Sequence, residues 1–185
     1  MKKSLLYTFI IAAFLMACSN NEETVGNCTT KSDGNVNQLD AGCITGTEIE
    51  HVRLEGVTIS SGASIVVWVR SNATQTSGVK LTLSGDGTIT YENLDGGKTV
   101  SKNGFTMTGS KVFCSDMHFD EDPDHVIVWE NASCNTTYDG NTGTNLIDDN
   151  TNAGNVTTEG NVYYQVNGAA TSTNITAKGP IAENI

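Results

Sequence analysis

Basic residues are scarce, with 10 Lys and Arg against 21 Asp and Glu and a formal charge of −11 at pH 7. Binding a nucleic-acid backbone depends on Lys and Arg displacing counterions, so this deficit argues against a nucleic-acid partner. Proline is scarcer still, at two in 185 residues. Sustained helical periodicity is missing, and no helix longer than about two turns is expected after residue 18. Long apolar runs are also lacking: the one from Leu5 to Ala17 falls short of the roughly 20 residues that cross a ~30 Å hydrocarbon core. Aromatic residues make up 6% of the chain, which weighs against a binder that stacks aromatic rings on a soluble ligand such as a glycan. Catalytic signatures are absent as well. There is no Gly-x-Ser-x-Gly elbow, His-Glu-x-x-His helix, phosphate-binding glycine loop or Cys-x-x-Cys pair, and no enzymatic activity is expected.

What is present begins at the N-terminus. Lys2 and Lys3 are followed by the apolar run and then by polar Ser19-Asn20-Asn21-Glu22-Glu23, the order of regions in an export signal. Leu15-Met16-Ala17-Cys18 closes the run, and here the chain resembles the bacterial lipoproteins, whose motif is an aliphatic residue, two small or apolar residues and a lipidated cysteine. The resemblance covers about the first 20 residues and implies cleavage of 1–17, lipidation of Cys18 with palmitate-type chains, and a membrane partner reached through that anchor. Ser19 stands where an aspartate is associated with inner-membrane retention in that family, so the expected address is the outer membrane. The tract after Cys18 is similar to the surface-export tract of some Bacteroidetes lipoproteins, with Asn20 and Asn21 departing from its acidic pattern, which implies display at the cell surface, periplasmic display being the alternative. Removing residues 1–17 takes away two lysines and no acids, leaving 8 basic against 21 acidic residues and a net charge of −13.

Five cysteines are an awkward number for an exported chain. Assigning Cys18 to lipid leaves four, which allow three connectivities; short local loops favour Cys28 with Cys43 and Cys114 with Cys134. Disulfides also agree with an oxidising compartment.

The remaining 168 residues suit a single domain. Residues 18–44 are polar and read as a lipidated N-terminus and tether, and 45–185 as one β-domain. Short β-branched runs recur there between turn residues: 48–54, 57–59, 65–69, 79–83, 88–91, 105–108, 111–114, 126–130, 162–166 and 173–177. Gly85-Asp86-Gly87 joins two of them as a hairpin. This spacing predicts an all-β fold, an antiparallel β-sandwich. A short parallel β-helix is the alternative, with 57–62 and 81–87 as successive rungs, although no constant period supports it. The segments 64–74 and 125–133 resemble one another, each ending an apolar run with Trp68 or Trp129, and both read as central strands covered on two sides.

Three constellations could carry chemistry. Asp120, Glu121, Asp122 and Asp124 sit between His118 and His125, an oxygen-rich turn suited to Ca²⁺ but matching no known calcium loop; a solvated charge run is the plainer account. Cys114, His118, His125 and Cys134 could form a soft-ligand site, against which stands the pairing of the two sulfurs. Tyr138, Tyr163 and Tyr164 could stack on sugar rings beside Asn and Asp side chains. The expected function is accordingly a structural or adhesive surface lipoprotein contacting a protein partner, or in the alternative a glycan or other ligand. Whether those tyrosines share one exposed surface discriminates the two.

Overall fold

A computed structural model of the protein describes residues 28, 34–46, 49–69, 74–96, 99–118, 125–130 and 161–179, and only the backbone at 116–118, 125–127 and 129. Twelve strands follow in chain order among them. They are β1 (Val36–Gln38), β2 (Ile44–Thr45), β3 (His51–Ile59), β4 (Ser64–Val69), β5 (Val79–Ser84), β6 (Ile89–Asn93), β7 (Thr99–Lys102), β8 (Lys111–His118), β9 (His125–Glu130), β10 (Val162–Asn167), β11 (Ala170–Thr171) and β12 (Asn174–Lys178). The one helical element described is a 3-10 turn at Ala41–Cys43. The fold is all-β, as the spacing of turn residues predicts.

The strands form two sheets. The first runs β1-β10-β4-β5-β6-β7, and the second β2-β12-β3-β8-β9, with β11 pairing to β3. All described pairings are antiparallel except that of β12 with β2. Period-two alternation explains the packing: in β5, Val79, Leu81 and Leu83 are buried while Lys80, Thr82 and Ser84 are partly exposed. Facing inward from the first sheet are Val67, Leu81, Tyr91 and Tyr164, and from the second Leu54, Val57, Phe113 and Ile175, all in one core. Each such burial stabilises by about 1.5–3 kcal/mol before the entropy of ordering is set against it.

The hairpin at 85–87 is present, with Leu83 opposite Ile89 and the Ser84 N–H donating to the Thr88 carbonyl at 2.9 Å. β3 carries a bulge, its register against β8 shifting between Leu54 and Val57. Gly56 sits there at φ +58°, and a Cβ would lie 2.4 Å from Thr173 Oγ1, so both backbone shape and space call for glycine.

Several expectations need correction. The parallel β-helix does not form: its proposed rungs lie in opposite sheets, 57–59 in β3 and 81–84 in β5. The tether does not reach residue 44, because β1 pairs with β10, β2 pairs with β12, and Cys28, Leu39 and Cys43 are buried in the core. Residues 105–108 keep strand-like alternation, with Phe105 and Met107 buried, yet they bridge from β7 in one sheet to β8 in the other. The Ile59 N–H donates to the Met107 carbonyl at 2.7 Å, and the Phe105 and Phe113 rings meet edge to face at 6.2 Å. The two tryptophan segments hold inequivalent positions: β4 is flanked by β10 and β5, whereas β9 ends its sheet among the described strands.

Candidate functional site

Cross-strand register determines which residues share the outer face of the first sheet. One row crosses all six strands: Gln38, Tyr163, Trp68, Lys80, Glu92 and Thr99. The next row is Val36, Gln165, Val66, Thr82, Thr90 and Ser101. Tyr163 and Trp68 face one another directly, and side chains so placed have Cβ atoms about 4.5–5.5 Å apart. Trp68 is 7% exposed and Val66 6%, although both stand on the outward side, apart from the core between the sheets. Tyr163 is partly exposed beside them.

Polar groups surround this aromatic pair and hold one another in place. Lys80 Nζ lies 3.1 Å from Glu92 Oε2, both about a third exposed. The hydroxyls of Thr90 and Ser101 are 2.9 Å apart, and Asn167 Nδ2 donates to Ser64 Oγ at 3.2 Å. Gln165 Nε2 donates to the Gly34 carbonyl, tying the face to the segment before β1. The result is an apolar strip bordered by amides, hydroxyls and one ion pair on the outward side of the sheet. Such a surface can stack an apolar ring face while neighbouring groups bond to hydroxyls.

The outer face of the second sheet is more strongly charged. Arg53 Nε donates to Glu55 Oε1 at 2.6 Å, and Asn174 Nδ2 reaches Glu55 Oε2 at 3.5 Å. The Arg53 hydrogen bond is the main reason the Glu55 carboxyl titrates below its ordinary value, against the opposing effect of burial. Arg53 Nη1 also lies 3.8 Å from Cys114 Sγ. His51 is buried, with Nε2 3.9 Å from Glu50 Oε2.

Cys28 and Cys43 are joined, as their spacing predicts. Cys114 is disulfide-bonded, which removes its sulfur from the soft-ligand site considered with His118, His125 and Cys134. The tyrosine set is broken by geometry. Tyr163 and Tyr164 project to opposite sides of β10, and Tyr164, 9% exposed in the core, is no sugar platform, so the tyrosines share no one exposed surface and taken alone favour the structural role. Cys18, Cys134, Tyr138 and the acidic residues Asp120, Glu121, Asp122 and Asp124 lie outside the described residues. Sequence reasoning missed that Trp68, though buried, stands on the outward side of its sheet. Its apolar neighbours Ile65–Val69 conceal the alternation, whereas the register partner Tyr163 reveals it.

No family model matches the sequence, and no curated protein matches it. Among solved structures, the carbohydrate binding module CBM66 from Bacillus subtilis matches with a TM-score of 0.51 and 14% identity, covering 82% of this chain and 86% of that one. The likeness is one of fold. It adds an independent observation that the two-sheet arrangement is a β-sandwich, and at this identity it carries no residue of that module's site onto this chain. No helix among the described residues is long and apolar enough to cross a membrane.

Proposed function

We propose that the mature chain is a non-catalytic, glycan-binding adhesive module, displayed at the outer membrane by lipidated Cys18. The observation that carries the binding function is the Tyr163–Trp68 pair on the outward face of the first sheet, set among Gln38, Lys80 and Glu92. Tyr163 supplies the partly exposed ring, and Trp68 stands opposite it on β4. Amide and charged groups along the same row supply directional bonds to sugar hydroxyls. The fold shared with a carbohydrate-binding module supports this choice over a purely structural role. Support for the anchor comes from Leu15-Met16-Ala17-Cys18 at the end of a short apolar run.

Affinity electrophoresis in gels cast with soluble polysaccharides, together with a glycan array, tests the binding function. Retardation by at least one polysaccharide, abolished by Tyr163→Ala and kept by Tyr163→Phe, is the expected result. Equal retardation of wild type and Tyr163→Ala would move the site elsewhere, and no retardation by any glycan would remove the function. The anchor is tested separately: Cys18→Ser should lose labelling by a palmitate analogue and pass from the membrane to the soluble fraction. Retention of the variant on membranes with normal processing would refute lipidation.

A further inference from the structure

We propose that the outer face of the first sheet binds a single uncharged polysaccharide chain of extended linkage, which crosses the strands rather than running along them. The inference rests on the glycan-binding function proposed for the Tyr163–Trp68 face and names the ligand class and its direction. Charge decides the class. Among the described residues, Lys80 is the one cation in the two rows that cross this face, and Glu92 Oε2 holds its ammonium at 3.1 Å. The rows therefore offer no free cation to a uronate carboxylate or a sulfate, groups that are recognised by charge-assisted bonds from Arg and Lys. The chain as a whole, with 21 acidic against 10 basic residues, repels polyanions further. What the rows do offer is neutral: the amides of Gln38 and Gln165 and the hydroxyls of Thr82, Thr90, Thr99 and Ser101. Such groups both donate and accept, as sugar hydroxyls do.

Direction follows from how the surface is divided. All the apolar and aromatic residues of the two rows lie on β1, β10 and β4: Val36, Tyr163, Val66 and Trp68. Val36 is the one large hydrophobic residue that is exposed among those described. Strands β5, β6 and β7 contribute only polar residues to the same rows. A sugar stacked on Tyr163 therefore places its successors over hydroxyls and the Glu92 carboxylate only if the chain crosses the strands. Running along β10 it would meet Gln165 and then Asn167 instead.

The repeat of the sheet matches that of the ligand. One sugar of an extended chain advances by about 5 Å, and neighbouring strands stand about 4.7–4.9 Å apart, so each sugar meets one strand. From Tyr163 on β10 through Trp68 and Lys80 to Glu92 on β6 there are three such steps, about 14 Å, which accommodates about four sugars. Adjacent strands are also rotated by about 20–25°, so a row of six turns too far to lie on a flat crystalline surface. A single chain follows that twist by rotating about its glycosidic bonds.

Mature protein extracted in detergent provides the test. Affinity electrophoresis compares uncharged glucomannan, xyloglucan and mixed-linkage β-glucan with acidic polygalacturonate and alginate, and oligosaccharides of the retarding polymer are then titrated by calorimetry. At least one uncharged polymer should retard the protein and neither acidic one should. Affinity should rise by about tenfold or more from disaccharide to tetrasaccharide, as two further sugars find hydrogen-bonding partners. Glu92→Ala, or Glu92→Gln should the first fail to fold, should weaken tetrasaccharide binding by about three- to tenfold, the scale of one lost hydrogen bond, and Asn167→Ala should weaken it less. Three results would overturn the proposal while leaving glycan binding in place: Tyr163-dependent retardation by an acidic polymer as strong as by any uncharged one, a disaccharide bound as tightly as the tetrasaccharide, or a loss in Asn167→Ala equal to or larger than that in the Glu92 variant. Failure of the wild type to bind any glycan, acidic or uncharged, would remove the underlying function as well.

Discussion

Replacing both Cys28 and Cys43 by alanine should cost about 3 kcal/mol of stability. The bridge spans a sequence separation of 15, and closing a loop of that length removes about 10 cal/mol/K of chain entropy from the unfolded state, which is about 3 kcal/mol at 25 °C. Both cysteines are also 5% exposed within the core, so truncation adds lost packing to the entropic effect. For a domain of this size the loss corresponds to a fall in melting temperature of about 6–12 °C. The loop holds β1 to the first sheet and leads directly into β2 of the second, so the damage should be local before it is global. Hydrogen exchange should quicken first at Leu39, whose N–H donates to the Val162 carbonyl at 2.7 Å, and at Gly34, bonded to the Val166 carbonyl at 3.1 Å. Urea unfolding should show a lower midpoint and a steeper slope, because an uncrosslinked unfolded chain exposes more surface. An unchanged midpoint and slope, with Leu39 and Gly34 as protected as before, would refute the claim that this bridge builds the N-terminal segment into the sandwich.

Gly85→Ala should destabilise by several kcal/mol and lower soluble yield, because its Cβ would fall 1.8 Å from the Ser60 carbonyl oxygen in the turn between β3 and β4; a wild-type melting curve would show that the two turns separate freely. Lys111→Met should cost about 2 kcal/mol, since Lys111 Nζ lies 3.3 Å from Glu130 Oε1 and Glu130 is 5% exposed; double-mutant cycles with Glu130→Gln in urea would expose an absent coupling. The Glu55 carboxyl titrates below its ordinary value in the fold, chiefly through its hydrogen bond from Arg53, so its contribution is present above the unfolded value and is lost as pH falls through the lower folded value. Urea midpoints of Glu55→Gln should accordingly decline less than those of wild type below about pH 4.5, by a modest amount given the exposure of the Arg53 pair, and parallel declines would remove Glu55 from the acid response.

Local pattern sufficed wherever a strand declares its own two faces. Val79–Leu83 alternates, Gly85-Asp86-Gly87 supplies the turn, and the hairpin with β6 follows without reference to distant residues. The all-β class and the Cys28–Cys43 pair were legible for the same reason, since both rest on short separations. Strands β1 and β7 were not, because Val36–Gln38 and Thr99–Lys102 are short and polar and become strands through the edges that receive them. Phe105–Thr108 shows the reverse: its alternation is real, but the two sheets it must connect keep it from pairing as a strand of either. The candidate site was hidden most thoroughly. Tyr163 stands opposite Trp68 only through the register between strands remote in sequence. Alternation says that a residue faces outward, but long-range pairing and core packing decide what stands beside it there.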